Sequence, residues 1–196
     1  MPDVHEVVLV DAGSRDGTVD VARRHLSNLQ VINQTRTGKG NALICGMHAA
    51  TGDIVVTLDA DGSADPCEIP AFVDALVEGA DFAKGSRYMP GGGSVDLTRL
   101  RSAGNWGLNV LSNLCLGTKF TDLCYGYNAF WKDIVPALRL PDPDLPQPAD
   151  GSRIWGDGFE IETLVTVRVA QAGLAVTEVP SFELSRIHGE IGRAHV

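Results

Sequence analysis

Ile54-Val-Val-Thr-Leu-Asp-Ala-Asp-Gly62 is the stretch whose reading decides the fold. Ile54, Val55, Val56 and Leu58 form an apolar run of strand length, with two valines in succession. The run stops at Leu58, and Asp59, Ala60, Asp61 and Gly62 follow. Carboxylates two residues apart share a face of a strand. At a strand's end, where Gly62 lets the chain turn, both reach a common point. That point lies just beyond the carboxyl end of a strand, where open α/β sheets bind ligands. Two hard oxygen donors there suit Mg2+ or Mn2+, which accept a few carboxylates and leave positions for substrate phosphates. The competing reading is an ordinary polar turn, since Asp and Gly are common turn residues.

Upstream, Glu6-Val-Val-Leu-Val-Asp11 is a second apolar run ending in Asp, read as a buried strand. Ala12–Gly17 makes a turn, and Thr18 or Asp16 caps a helix running to about His25. Val31-Ile32 is a short strand, and Thr37-Gly-Lys-Gly40 opens a helix over Asn41–Ala50. Downstream, Pro66 starts a helix through Glu78. Asp81–Lys84 reads as a strand closed by Gly85-Ser-Arg-Tyr88, before a flexible Gly91-Gly-Gly93. Strands alternating with helices predict an α/β fold with a mostly parallel central sheet and crossover helices. Beyond Gly93, Leu100, Leu108, Leu111, Leu114 and Cys115 give a helical period over Arg99–Leu116. Pro136–Pro148 is rich in Pro and Asp and predicts a surface loop or lid. Phe159–Ala172 predicts a last helix with Gly173 as its C-cap, then strands Val176–Val179 and Ser181–Leu184 around Pro180.

A chain of 196 residues suits one domain with a substantial core. Its formal net charge of −9 argues against a nucleic-acid partner and against a polybasic membrane anchor. No apolar run approaches the roughly 20 residues of a membrane span. Cys45, Cys67, Cys115 and Cys124 show no Cys-x-x-Cys spacing, so they read as reduced, with Cys45 and Cys115 packed in the core. The expected setting is cytoplasmic.

Several blocks recur in a familiar order: Val10-Asp-Ala-Gly-Ser-Arg-Asp-Gly-Thr18, Thr37-Gly-Lys-Gly-Asn41, Leu58-Asp-Ala-Asp-Gly62, Gly85-Ser-Arg-Tyr88 and Thr121-Asp-Leu-Cys-Tyr-Gly-Tyr127. Gly158-Phe-Glu-Ile-Glu162 and Arg186-Ile-His-Gly-Glu190 continue them. The chain resembles family 2 glycosyltransferases of the GT-A fold, in the branch of dolichyl-phosphate mannose synthase and related polyprenyl-phosphate glycosyltransferases. The resemblance implies a single GT-A domain over residues 1–190, its mostly parallel sheet flanked by helices. It also implies three departures. The family's opening strand is missing before Pro2, Asp11-Ala12 replaces a frequent Asp-Asp pair, and the chain is cut after Gly189-Glu190. Ile191-Gly-Arg-Ala-His-Val196 matches one translated frame of a common adapter oligonucleotide and is expected to be a non-native tail.

The function implied is metal-dependent, inverting transfer of a sugar from a UDP- or GDP-sugar to an acceptor, a polyprenyl phosphate or a cell-envelope glycan precursor. Asp61 would hold Mg2+ or Mn2+, and Asp59 would share the metal shell or orient the ribose. Arg87, Arg101 and Arg186 fit a clamp on the diphosphate, because a guanidinium pairs bidentately with phosphate oxygens. Asp11 would face the base or ribose, and Lys39 would meet phosphate at a helix N-terminus. Asp122 corresponds to an acceptor-side acidic residue and is the candidate catalytic base, with Asp157 and Glu160 behind it. An acceptor phosphate is already an anion and needs little deprotonation, whereas a hydroxyl acceptor needs a base within hydrogen-bond reach. His188 reads as a loop residue. Peripheral contact with the inner face of a membrane stays open. The competing functions are a nucleotidyltransferase, another metal-dependent phosphate-handling enzyme with an aspartyl nucleophile, or an inactive glycosyltransferase fragment.

Overall fold

The computed structural model describes residues 3–95 and 97–186. In chain order the elements are β1 (Val7–Asp11), α1 (Thr18–His25), β2 (Leu29–Asn33), α2 (Lys39–Ala49) and β3 (Ile54–Thr57). A 3-10 turn (Pro66–Glu68) leads into α3 (Ile69–Val77), then β4 (Phe82–Ser86), β5 (Gly93–Ser94) and α4 (Arg99–Leu116). There follow β6 (Asn128–Trp131), a 3-10 segment (Lys132–Leu138), α5 (Ile161–Gln171), β7 (Val176–Pro180) and β8 (Phe182–Glu183). The chain divides into two compact units. The first is Asp3–Val55 with Trp131–Ala172, and the second is Val56–Phe130 with the described residues from Gly173 onward.

In the first unit β1 and β2 pair in parallel, Val7 opposite Leu29 through Asp11 opposite Asn33. The crossover helix α1 begins after Gly17, whose φ of 83° lies in the left-handed region. The Asp16 carboxylate accepts from the Thr18 backbone N–H at 3.0 Å and from its hydroxyl at 2.6 Å, closing the turn before the helix. The N-cap is Gly17, with no side-chain cap hydrogen bond, and not Asp16 or Thr18 as expected. β1 is less buried than expected: Val7 to Val10 are half-buried and Asp11 alone is buried. The unit's buried apolar residues come instead from α2 (Ile44, Cys45, Met47), the 3-10 segment (Ile134, Val135, Leu138) and α5 (Ile161, Val165, Val169).

The four-stranded sheet has the order β3-β6-β4-β7, with β4 antiparallel to β6 and parallel to β7. β4 is an interior strand, and all five of its residues, Lys84 included, are buried. Phe82 stands opposite Phe130 and stacks on it with ring centroids 5.5 Å apart, and Phe72 of α3 stacks on Tyr127 at 4.4 Å. β5 and β8 form a separate parallel pair. Gly93 lies in that pair, and a Cβ at Gly92 would sit 2.5 Å from the Ser86 carbonyl oxygen, so Gly91-Gly-Gly93 is packed backbone and not a flexible linker.

Two further expectations change. The helix over Arg99–Leu116 forms as read, with its leucine stripe turned to solvent. Leu100, Trp106, Leu111 and Leu114 are 60–83% exposed, and the buried residues of α4 are Asn105 and Asn109. Cys115, placed in the core from its spacing, is exposed with that face, whereas Cys45 is buried as expected. β6 was not anticipated; only four residues long, it directly follows a Tyr-Gly-Tyr turn. The tail 191–196, His188 and the Gly189-Glu190 end of the last motif lie outside the described residues.

Candidate functional site

In the second unit β3 ends at Thr57 and the chain turns through Asp59-Ala-Asp61-Gly62, Gly62 taking a φ of 81°. Asp59 and Asp61 are both half-buried. One oxygen of Asp61, Oδ1, accepts from the Ser63 backbone N–H at 3.0 Å and from the Ser63 hydroxyl at 2.6 Å, which fixes the carboxylate's orientation. The other, Oδ2, lies 3.0 Å from Nε of Arg186. The segment carrying Arg186 is tied to the same turn, since the Leu184 N–H donates to the Ser63 carbonyl at 2.8 Å. Two carboxylates at a strand's end form an all-oxygen donor set, and no cluster of three or more His, Cys, Asp or Glu that could hold a metal occurs among the described residues. The residues fit Mg2+ or Mn2+ completed by substrate phosphates, and do not fit an ion caged by protein alone.

Arg87 follows the last residue of β4. Its Nε and Nη2 donate to the two oxygens of Asp122 at 2.7 and 3.0 Å, and its backbone N–H reaches Oδ2 at 3.2 Å. Nη1 reaches Glu183 at 3.0 Å, and the guanidinium lies 4.7 Å from the centre of the Tyr125 ring. Burial alone would lower the Arg87 pKa, but the hydrogen bonds and charge of Asp122, with those of Glu183, outweigh it and the net shift is upward. The Asp122 side chain has no exposed surface. Its loop is gripped by α4, where Asn109 donates to the Thr121 carbonyl at 2.6 Å and accepts from the Leu123 N–H at 2.8 Å. Arg101 is exposed in the first turn of α4, its backbone N–H capped by the Thr98 hydroxyl at 3.3 Å.

In the first unit Asp11 closes β1 and accepts from the backbone N–H groups of Gly13 and Ser14, each at 2.9 Å. Hydrogen bonds from the Ser14 side chain and backbone hold its carboxyl below the usual range. Lys39 begins α2, pairs with Glu162 of α5 and lies 6.0 Å from the centre of the Phe159 ring. The glycines around Lys39 have a packing reason. A Cβ at Gly38 would lie 2.0 Å from the Asp157 carbonyl oxygen, and one at Gly40 would lie 1.9 Å from that of Gly156. The Gly40 N–H donates to the Asp157 carbonyl at 2.7 Å.

Asp157, a candidate base from the sequence, is instead half of an enclosed ion pair. Arg36 Nε and Nη2 donate to its two oxygens at 2.8 and 2.9 Å, and neither side chain has exposed surface. The hydrogen bonds that Arg36 donates to Asp157 raise its pKa against the opposing effect of burial. Nη1 of Arg36 also donates to the carbonyls of Asp142 and Leu145 at 2.9 and 2.7 Å. The Pro-rich stretch expected to be a loop or lid is therefore a loop pinned from beneath by a buried charge. Glu160 folds back and accepts from the N–H groups of Gly156 and Gly158 at 2.9 and 3.2 Å. Partial burial alone would raise its carboxyl, but its own backbone N–H and those two hold it below the usual value.

Sequence reading missed Arg36, Ser63, Glu183 and the asparagines of α4. Arg36 stands one residue before the Thr37-Gly-Lys-Gly40 block, and Ser63 directly after Asp-Ala-Asp-Gly, so both lay at the edge of a quoted motif. The asparagines at 105, 109 and 113 recur every fourth residue, a polar stripe that identifies the inward face of α4 once it is counted.

Comparison with known proteins agrees with this geometry. The chain is 32% identical over 192 residues to an undecaprenyl-phosphate mannosyltransferase of Micrococcus luteus, covering 94% of this chain and 74% of that protein. It is 30% identical over 187 residues to a polyprenol monophosphomannose synthase of Mycolicibacterium smegmatis, covering 91% and 66%. Among solved structures, glucosyl-3-phosphoglycerate synthase of Mycobacterium tuberculosis, in complex with Mn2+, uridine diphosphate and glucosyl-3-phosphoglycerate, superposes with a TM-score of 0.64 at 23% identity. That match covers 95% of this chain and 62% of the solved one, and supports the GT-A fold. The family model for glycosyl transferase family 2 matches residues 2–139. With that match and these relatives, the chain belongs to glycosyl transferase family 2.

Proposed function

We propose that the chain carries out metal-dependent, inverting transfer of a sugar from a UDP- or GDP-sugar to the phosphate of a polyprenyl lipid. The observation that carries this reading is the Asp61 carboxylate, oriented through one oxygen by Ser63 and presenting the other at the end of β3. The mannosyltransferase relatives named for undecaprenyl phosphate and polyprenol support the acceptor class.

Asp61 with Asp59 would hold Mg2+ or Mn2+, which supplies positive charge to a diphosphate leaving group and is worth several kcal/mol in such reactions. Arg186 brings a guanidinium to the same place and meets diphosphate oxygens. Asp122 holds the Arg87 guanidinium in place through two hydrogen bonds. Because a polyprenyl phosphate arrives as an anion, no side chain has to remove its proton, which suits a protein whose Asp122 and Asp157 are both closed into arginine pairs.

Peripheral attachment to a membrane belongs to the same proposal. No helix among the described residues is long and apolar enough to cross a bilayer. α4 exposes Leu100, Trp106, Leu111 and Leu114, and Leu97–Thr121 contains Arg99, Arg101 and Lys119 with no carboxylate. An apolar face edged by cations suits an anionic lipid surface.

Asp61→Asn tests the core of the proposal. The variant should lose Mn2+-dependent binding of UDP or GDP, read as loss of the ligand-induced rise in melting temperature. Its own melting temperature should stay nearly unchanged, because partly exposed ion pairs contribute about 0–1 kcal/mol. Unaltered Mn2+-dependent binding would remove Asp61 from the metal site.

A further inference from the structure

We propose that Arg186 is an exchangeable counter-ion for Asp61, passing between that carboxylate and the donor diphosphate, so that divalent-ion and nucleotide binding are coupled through it. The inference rests on the metal-site reading above and adds a regulation of that site.

Among the described residues, the pairs Arg36–Asp157, Arg87–Asp122 and Arg186–Asp61 differ in how tightly they are closed. Arg36–Asp157 has no side-chain exposure on either partner. Arg87–Asp122 has 11% and 0%. Arg186–Asp61 has 34% and 22%, with Nε of the guanidinium 3.0 Å from Oδ2. The first two are bidentate and enclosed, as fixed structural pairs should be. The third is open to solvent, and it is the one at the Asp-Ala-Asp turn. An open pair in high dielectric is weak and separates readily.

The oxygen it occupies is the one that matters. Oδ1 of Asp61 is engaged by the backbone and hydroxyl of Ser63, which leaves Oδ2 as the oxygen presented to a cation, and Oδ2 is the partner of Arg186. A divalent ion and a guanidinium on one carboxylate oxygen repel each other, so the ion must displace Arg186. The displaced guanidinium stays close. Leu184 is hydrogen-bonded to Ser63, and Glu183 is held by Arg87 and by the Ser94 hydroxyl. Arg186 lies two residues beyond that anchor, a chain length of about 7 Å at full extension. Its charge therefore remains beside whatever Asp61 binds, and a nucleoside diphosphate there accepts it. The ion binds more tightly when diphosphate takes up Arg186, and by linkage the diphosphate binds more tightly when the ion has released it.

The experiment is Mn2+ titration of the full chain, read by the electron paramagnetic resonance signal of free Mn2+, with and without saturating UDP or GDP. The nucleotide used is whichever raises the melting temperature in the presence of Mn2+. In the unaltered protein the nucleotide should tighten Mn2+ binding. Arg186→Ala and the length-preserving Arg186→Gln should tighten Mn2+ binding without nucleotide by about two- to five-fold, the range expected for a partly exposed pair. Both should reduce the gain given by nucleotide, whereas Arg186→Lys should keep the unaltered pattern. A simple loss of structure would weaken Mn2+ binding, the opposite sign. Mn2+ affinity that is unchanged or weaker in both Arg186→Ala and Arg186→Gln overturns the exchange. If Asp61→Asn binds Mn2+ as well as the unaltered chain, it is the metal assignment that fails.

Discussion

Asp157 and Glu160 sit three residues apart and do different work without touching solvent chemistry. Asp157 neutralises Arg36 in an enclosed pair, so removing one partner leaves a buried charge alone. Asp157→Asn should destabilise the fold by about 3–5 kcal/mol, read by urea denaturation. Glu160 is a pH-dependent brace. Its folded carboxyl titrates below the ordinary value of 4.5, because the charged form accepts backbone hydrogen bonds. Its contribution to stability is therefore complete above pH 4.5 and disappears as pH falls through the lower folded value. Glu160→Gln imitates the protonated form. Its melting temperature should lie below that of the unaltered chain at neutral pH, and the two should converge as pH falls through the folded carboxyl's lowered value, as scanning calorimetry across acid pH would record. A gap that stays constant with pH would mean the side chain acts by packing alone.

At the level of elements, α2 owes its position to the absence of side chains at Gly38 and Gly40. Gly40→Ala places a methyl 1.9 Å from a backbone oxygen that has no flexible side chain to give way, and should destabilise by about 1–3 kcal/mol. Gly107 in α4 has nothing within 4 Å of such a methyl, and Gly107→Ala should stabilise by up to about 1 kcal/mol through helix propensity. Thermal melts of the two variants should move in opposite directions. The same elements show how far the sequence could be read. β1, β3, β4 and the helices α1 to α5 were legible because apolar runs, glycines and Pro66 mark strand and helix ends. The Asp59–Asp61 turn was legible because an apolar run stops there abruptly. β6 was not, since a four-residue strand carries too little pattern. Cys115 was misplaced because an apolar helical period was taken to mark the core, whereas Asn109 and Asn113 satisfy backbone groups of the loop before and after Asp122 and turn that face inward. The partners of Asp122 and Asp157 are Arg87 and Arg36, 35 and 121 residues away in the chain, and such pairings leave no local trace.

For the whole molecule, charge and apolar surface are distributed unevenly. The chain carries −9, yet Leu97–Thr121 carries three cations and no carboxylate. If α4 is the lipid-facing surface, the protein should sediment with anionic vesicles and not with zwitterionic ones. Leu111→Glu combined with Leu114→Glu should abolish that sedimentation while keeping the melting shift produced by nucleotide and Mn2+. Equal sedimentation of both proteins would place the lipid surface elsewhere. Membrane binding and donor binding are thus separable readouts, one belonging to α4 and the other to the Asp59–Asp61 turn.

The asparagine seam of α4 has a thermodynamic signature of its own. A helix anchored through amide groups, with its leucines already wet, uncovers little oily area when it lifts from its unit. Such a detachment adds almost nothing to the heat-capacity increment or to a denaturant slope, both of which scale with newly hydrated surface. Bulk unfolding curves would therefore be nearly blind to it, although the amide bonds that hold the helix are lost in the process.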